Sequence, residues 1–311
     1  MLKKAKSFQM KEFIFTFSKN KISQLLKLEY LKWKSNAVIT MLIILFTALF
    51  PFIILTAKDI FANVPPPLPS SSVFFEFPTV WDYQGYVGNW MLFFFIGFIG
   101  IFIITNEISY KTLRQNIITG LTRTEYFVGK FMTILLIALA TTVLYTLSTI
   151  IIGLIHTDGV DFQLVFDNNW AILRFFLMSM GYLSFGMLLG IVVRGGGVAT
   201  FLYLSYILFI ESIIKWAAFS FINSDTIKSI VGEGGTGDKI SFSNVVNYLP
   251  LNVIEDLHPN PWLRLPDNFM KVSKEIEFDI LIHPTAAIVL SFVYIILFLF
   301  LGYRSLMTRD I

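Results

Sequence analysis

The chain has 311 residues, 55% of them hydrophobic and 14% charged, with a mean hydropathy of +0.70 and a formal net charge of +3. Soluble domains carry nearer about a quarter charged residues, so the composition excludes a soluble globular enzyme and indicates an all-α integral membrane protein. No cysteine is present, which excludes disulfides and thiolate metal sites.

Residues 1–37 form a basic N-terminal segment, expected in the cytoplasm. Within it KISQLLKLEYLKWK places Ile22, Leu25, Leu26, Glu29 and Trp33 in helical rhythm among four lysines. That pattern suits an amphipathic helix in the membrane interface, either as a plain anchor or as a surface gripping a cytoplasmic partner. Six apolar runs then have the length of membrane spans, at about 38–57, 87–105, 127–155, 170–193, 198–221 and 284–303. The first is read as an uncleaved anchor, because no small-residue cleavage pattern follows it.

Between the first two spans, VPPPLPSSS predicts an extended connector. Between the second and third lies NEISYKTLRQNIITGLTRTEYFVGK (residues 106–130), a charged segment in an apolar chain. Residues 108–118 can form a short helix with Leu113, Ile117 and Leu121 at successive i+4 positions and Lys111 and Arg114 toward another face. Gly120 is placed to end that helix, and Thr122 with Glu125 has the capping-box spacing that would start the third span.

The fourth span carries Gly181, Gly186 and Gly190, a close-packing pattern, and Gly195, Gly196 and Gly197 suit a tight reversal. Arg174, at its outer end, is explained by snorkelling alone. In the fifth span Glu211 and Lys215 stand at i and i+4, which suits either a self-neutralising ion pair or part of a translocation lining or subunit interface.

The 222–283 loop is the largest soluble piece. Its glycine-rich SIVGEGGTGDKIS lacks the Lys that a phosphate loop needs directly after its last Gly. Two apolar segments broken at Pro250 predict short external helices at the interface before the last span, with Trp262 as an anchor. His156, His258 and His283 read as polar loop residues, and residues 304–311 form a tail.

Six spans put both termini on one side. The segments on that side hold sixteen of the 24 Lys and Arg and five of the 21 Asp and Glu, whereas the opposite loops hold six and fifteen. The Lys/Arg bias puts the termini and the 106–125 segment in the cytoplasm, with a positive face toward anionic membrane lipids and no requirement for nucleic acid.

At residues 106–130 the sequence resembles the cytoplasmic coupling region of the ABC-2 class of ABC transporter permeases. The matching positions are Glu107, Thr112-Leu113, Ile117-Ile118, Thr122-Arg123 and Gly129-Lys130. It departs at Lys111, where Gly is common, and at Gly120, where Pro is common. The resemblance implies a permease subunit of an ATP-driven exporter in the cytoplasmic (inner) membrane, paired with a second copy or a homologous permease.

It also implies two separate cytoplasmic ATPase subunits that bind the ATP and Mg. Glu107, Lys111, Thr112, Leu113, Arg114, Ile117 and Arg123 would then serve ATPase coupling, with no catalytic, cofactor-binding or metal residue in this chain. The competing readings are an integral membrane enzyme acting on lipid, for which only Glu255, Asp256 and His258 stand close together, and an ion-coupled carrier. The carrier reading wants internal repeats and several buried carboxylates, and the sequence shows neither.

Overall fold

The computed structural model describes residues 19–60, 71–159, 161–222, 240–241, 245–259, 276–277 and 282–309. The glycine-rich stretch apart from its last two residues, the proline segment apart from its end, and Trp262 lie outside the described residues. The protein is an all-α membrane protein. Among the described residues five helices are long and apolar enough to cross a membrane, or six with a bent pair at the N-terminus counted as one span.

That pair is α1 (Lys19–Lys34) and α2 (Ala37–Ile60). Their axes turn by 88° between Ser23–Lys34 and Ala37–Ile53, so a helix lying in the interface leads into one that crosses. Asn36 makes the corner, its side-chain oxygen accepting the Val38 and Ile39 amides at 3.1 Å each, as a helix N-cap does.

The second crossing begins earlier than its apolar run, at Thr79, and is continuous to Ser109. It consists of α3 (Thr79–Met91), one π turn (Leu92–Ile96) and α4 (Gly97–Ser109). The polar residues at the start of this helix are buried against neighbours: Gln84, ahead of the run, donates to the Ser148 hydroxyl at 2.6 Å, and Asn89, just inside it, accepts from the Tyr182 hydroxyl at 2.6 Å. Apolar character therefore ended the predicted span before the helix did.

After the short α5 (Thr112–Ile118), the third crossing is α6 (Arg123–His156). The single turn α7 (Phe162–Val165) precedes the fourth, α8 (Trp170–Val193). The fifth is α9 (Gly196–Ser205), a second π turn (Tyr206–Ile210) and α10 (Glu211–Ile222). Beyond it come a two-residue parallel pairing of β1 (Ile240–Ser241) with β2 (Ile276–Glu277), α11 (Pro250–Glu255) and the last crossing, α12 (Pro284–Thr308).

Helix α8 is the axle of the bundle, with 72% of its apolar window buried, against 17% for the fifth crossing and 28% for α12. Its glycines account for this position. A Cβ on Gly186 would stand 2.4 Å from the Gly97 carbonyl oxygen, and one on Gly100 would stand 2.5 Å from that of Leu183, so α4 and α8 touch backbone to backbone.

The turn after α8 corrects the glycine-reversal expectation. Its left-handed residue is Arg194 (φ 62°), while Gly195 is extended and Gly196 opens the next helix.

Helix α11 packs into the bundle ahead of the last crossing. Leu251, Val253, Ile254 and Leu257 are all buried, and Ile254 fills the space left by Gly181 of α8. Arg174 is not a snorkelling side chain: it is 4% exposed, donating to Asp82 at 2.8 Å, Asn168 at 3.0 Å and the Leu257 carbonyl at 3.3 Å. It ties α3 and α8 to the segment after α11.

Candidate functional site

The charged segment folds as three pieces. Helix α4 runs on to Ser109 rather than yielding to a new helix at residue 108. Lys111 then breaks the path in the left-handed region (φ 57°), and Thr112 begins α5 with its hydroxyl donating to the Glu107 carbonyl at 3.2 Å. A Gly at this position would take that conformation without strain, so Lys111 serves as a turn residue and not as a helix former. Gly120 (φ 105°) ends α5.

The capping box is present. The Glu125 amide donates to the Thr122 hydroxyl at 3.2 Å, and the Thr122 amide donates to the Glu125 carboxylate at 2.9 Å.

Beneath this turn sits a buried cluster of four charges. Lys130, 1% exposed near the start of α6, reaches Glu29 of α1 at 2.5 Å and also Glu107 at the end of α4. Lys32 closes the ring, at 2.8 Å from Glu29 and 3.0 Å from Glu107. Two ammonium groups against two carboxylates leave the cluster neutral, which is the condition for burying it.

Burial pushes the Glu29 carboxyl up, but Lys130 and Lys32 outweigh it and hold Glu29 below its usual value. Burial pulls Lys32 down, and Glu29 and Glu107 overcome it and raise the ammonium above its usual value.

A second tie comes from Arg123, whose guanidinium donates to the carbonyls of Leu306 at 3.1 Å, Met307 at 3.0 Å and Arg309 at 2.8 Å. It caps the C-terminus of α12, where a cation is favoured. Arg309 in turn donates to the Val192 carbonyl at the end of α8 at 2.5 Å.

The seven residues expected to couple therefore divide by position. Glu107 and Leu113 are buried, Ile117 packs half-buried on the core, Thr112 bonds backward and Arg123 is tied to α12. Lys111 and Arg114 are exposed. The most exposed apolar side chains here are two that sequence reasoning did not select, Tyr110 at 74% and Ile118 at 75%. Glu29, Lys32 and Lys130 were also missed as a unit, although the sequence marks each of them: Glu29 is an acid in a lysine-rich helix and Lys130 closes the motif.

Residues 25–221 match the family described as ABC-2 family transporter protein. The chain belongs to that family. It is a permease of an ABC transporter, a transporter component and not itself the catalyst. The match runs from α1 through the fifth crossing and so takes in the charge cluster and α5. No curated protein matches the chain.

In this ABC-2 permease Glu211 and Lys215 do not close on each other. The Glu211 carboxylate, 4% exposed, accepts the Leu251 amide at 3.0 Å, and the Lys215 ammonium reaches the Asn252 side chain. Both side chains fasten α10 to the first turn of α11, where a carboxylate meets the exposed amides of a helix start.

Among the described residues no cluster of His, Asp or Glu could hold a metal ion. His258 is buried, its ring against Gly85, with Nε2 at 3.2 Å from the Ala171 carbonyl. It stands edge-on to the stacked rings of Tyr145 and Phe175, as a packed core histidine.

Proposed function

We propose that the protein is the membrane subunit of an ATP-driven exporter, with Tyr110, Lys111, Arg114 and Ile118 around α5 forming the contact for a separate cytoplasmic ATPase. In this reading two permease copies, or this chain and a homologous one, form the pathway. Two ATPase subunits bind ATP and Mg, and both termini and α5 face the cytoplasm across the inner membrane. The observation that carries it is the apolar, cation-flanked end of α5, raised at the turn between two crossings and braced from beneath by the Lys130 cluster.

Such an arrangement turns a push on α5 into movement of whole helices. Glu107 fastens the turn to α1 and α6, and Arg123 passes the displacement to α12. A short, rigidly held helix is what a two-state drive requires. Glu211 and Lys215 act at the far end, holding α11 to the fifth crossing, whose wide apolar face supports a subunit interface.

The test is copurification. The full chain, tagged and solubilised from its own membranes, should bring down a soluble ATPase that hydrolyses ATP. Ile118→Asp should remove the ATPase while the permease stays monodisperse. Retention of the ATPase by both Ile118→Asp and Tyr110→Asp would overturn the docking face.

A further inference from the structure

The corner between α1 and α2 carries two cavities that share Ser35 and Ala37. The first, of about 620 Å³, lies between that corner, the end of α4 and the start of α5. Lys32, Asn36, Asn106 and Asn116 line its polar part; Val38, Ile39 and Phe102 line its apolar part. The side-chain nitrogens of Asn106 and Asn116 are buried without a hydrogen-bond partner among the described residues.

The second cavity, of about 510 Å³, runs down the outer side of α2 over Thr40, Met41, Ile44 and Leu45, with Lys34 at its head. Met41 and Ile44 are 60% and 59% exposed. One compartment is thus rich in hydrogen-bond donors, the other is apolar and lies along a membrane-crossing helix, and Ser35 and Ala37 border both.

We infer that this corner binds one phospholipid with an anionic headgroup, its phosphate at the Ser35 border of the two cavities beside Lys34, the rest of its headgroup in the polar cavity and an acyl chain along Met41 and Ile44. Charge selects the class. The two carboxylates facing the first cavity, Glu29 and Glu107, are balanced by Lys130 and Lys32, with Glu107 Oε2 left without a hydrogen-bond partner among the described residues, so the cation left over is Lys34 at the head of the second cavity. Lys34 is exposed and enters no ion pair among the described residues, and Lys32 is partly open to solvent. Donors and a free cation at the level where α1 lies in the interface suit a phosphate, and the groove suits its acyl chain.

The lipid would wedge between α1 and α5 and thereby set the position of the turn. The site does not depend on the ATPase assignment, since it is built wholly from this chain.

The experiment is native mass spectrometry of the purified full chain after equilibration with equal amounts of phosphatidylglycerol and phosphatidylcholine. Phosphatidylglycerol should be retained over phosphatidylcholine by about fivefold, the factor expected of one surface lysine. Lys34→Gln should erase that preference, and Ala37→Trp, which fills the junction of the two cavities from an exposed position, should erase retention of both lipids.

Gel filtration of each variant verifies the fold. Equal retention of the two lipids, or unchanged retention in Ala37→Trp, would overturn the site. Displacement of the phosphatidylglycerol by millimolar inorganic phosphate would overturn the lipid and assign the cavity to a free anion.

Discussion

Lys130 is the residue on which the turn between the second and third crossings depends. Its ammonium is almost fully buried between Glu29 and Glu107, so Lys130→Met would leave two carboxylates sharing one cation, Lys32, whose side chain is 31% exposed. Removing one partner of a buried pair costs about 3–5 kcal/mol, and the variant should lose its thermal transition in detergent or show it far lower. An unchanged melting temperature would mean that the cluster is solvated.

The same cluster sets a pH dependence. Glu29 is held below its usual 4.5, so the stability it contributes is present above that value and lost as pH falls through the lowered one. Lys32 is raised above its usual 10.5, so its contribution is present below that value and lost only as pH climbs through the raised one. Melting temperature should therefore hold level across neutral pH and fall in acid, and Glu29→Gln should blunt the acid limb. An acid limb of the same depth in the variant would remove Glu29 from the account.

Among elements, the turns show what sequence could and could not reveal. The capping box at Thr122 and Glu125 and the stop at Gly120 are local chemistry, readable from spacing alone, and both are present. Thr122→Ala should cost about 1 kcal/mol, seen as faster amide exchange over the first turn of α6.

Lys111 and Arg194 are different, because nothing local announces a basic residue in the left-handed region at the end of a helix. Lys111→Gly should relieve strain and raise stability by about 1 kcal/mol, less the entropy a glycine adds to the unfolded chain. A drop in melting temperature would show that the Lys111 side chain supplies more than the turn.

The glycines of α8 were readable as a packing face, yet the partner they touch was not. Gly186→Val would force α4 and α8 apart at the Gly97 carbonyl and should prevent recovery of a monodisperse protein.

For the whole molecule, composition and run length were sufficient for an all-α membrane protein, because lipid leaves helices as nearly the only solution for a long apolar chain. The long-range ties were not readable. Lys130 finds Glu29 101 residues away, and Arg123 finds the end of α12 more than 180 residues away, pairings that no periodicity encodes. Two polar residues, Arg174 expected to snorkel and His258 expected in a loop, turned inward because the helices supply them with partners.

What emerges is a bundle around α8 whose turn between the second and third crossings is fastened at two places and exposes one small apolar end. The most direct measurement of that claim is photocrosslinking in intact cells, with a photoreactive residue placed singly at Ile118 and, for comparison, at the lipid-exposed Val289 of α12. The account predicts an adduct with a soluble ABC ATPase from position 118 and none from position 289. No ATPase adduct from position 118, or an equal yield from both positions, would contradict it.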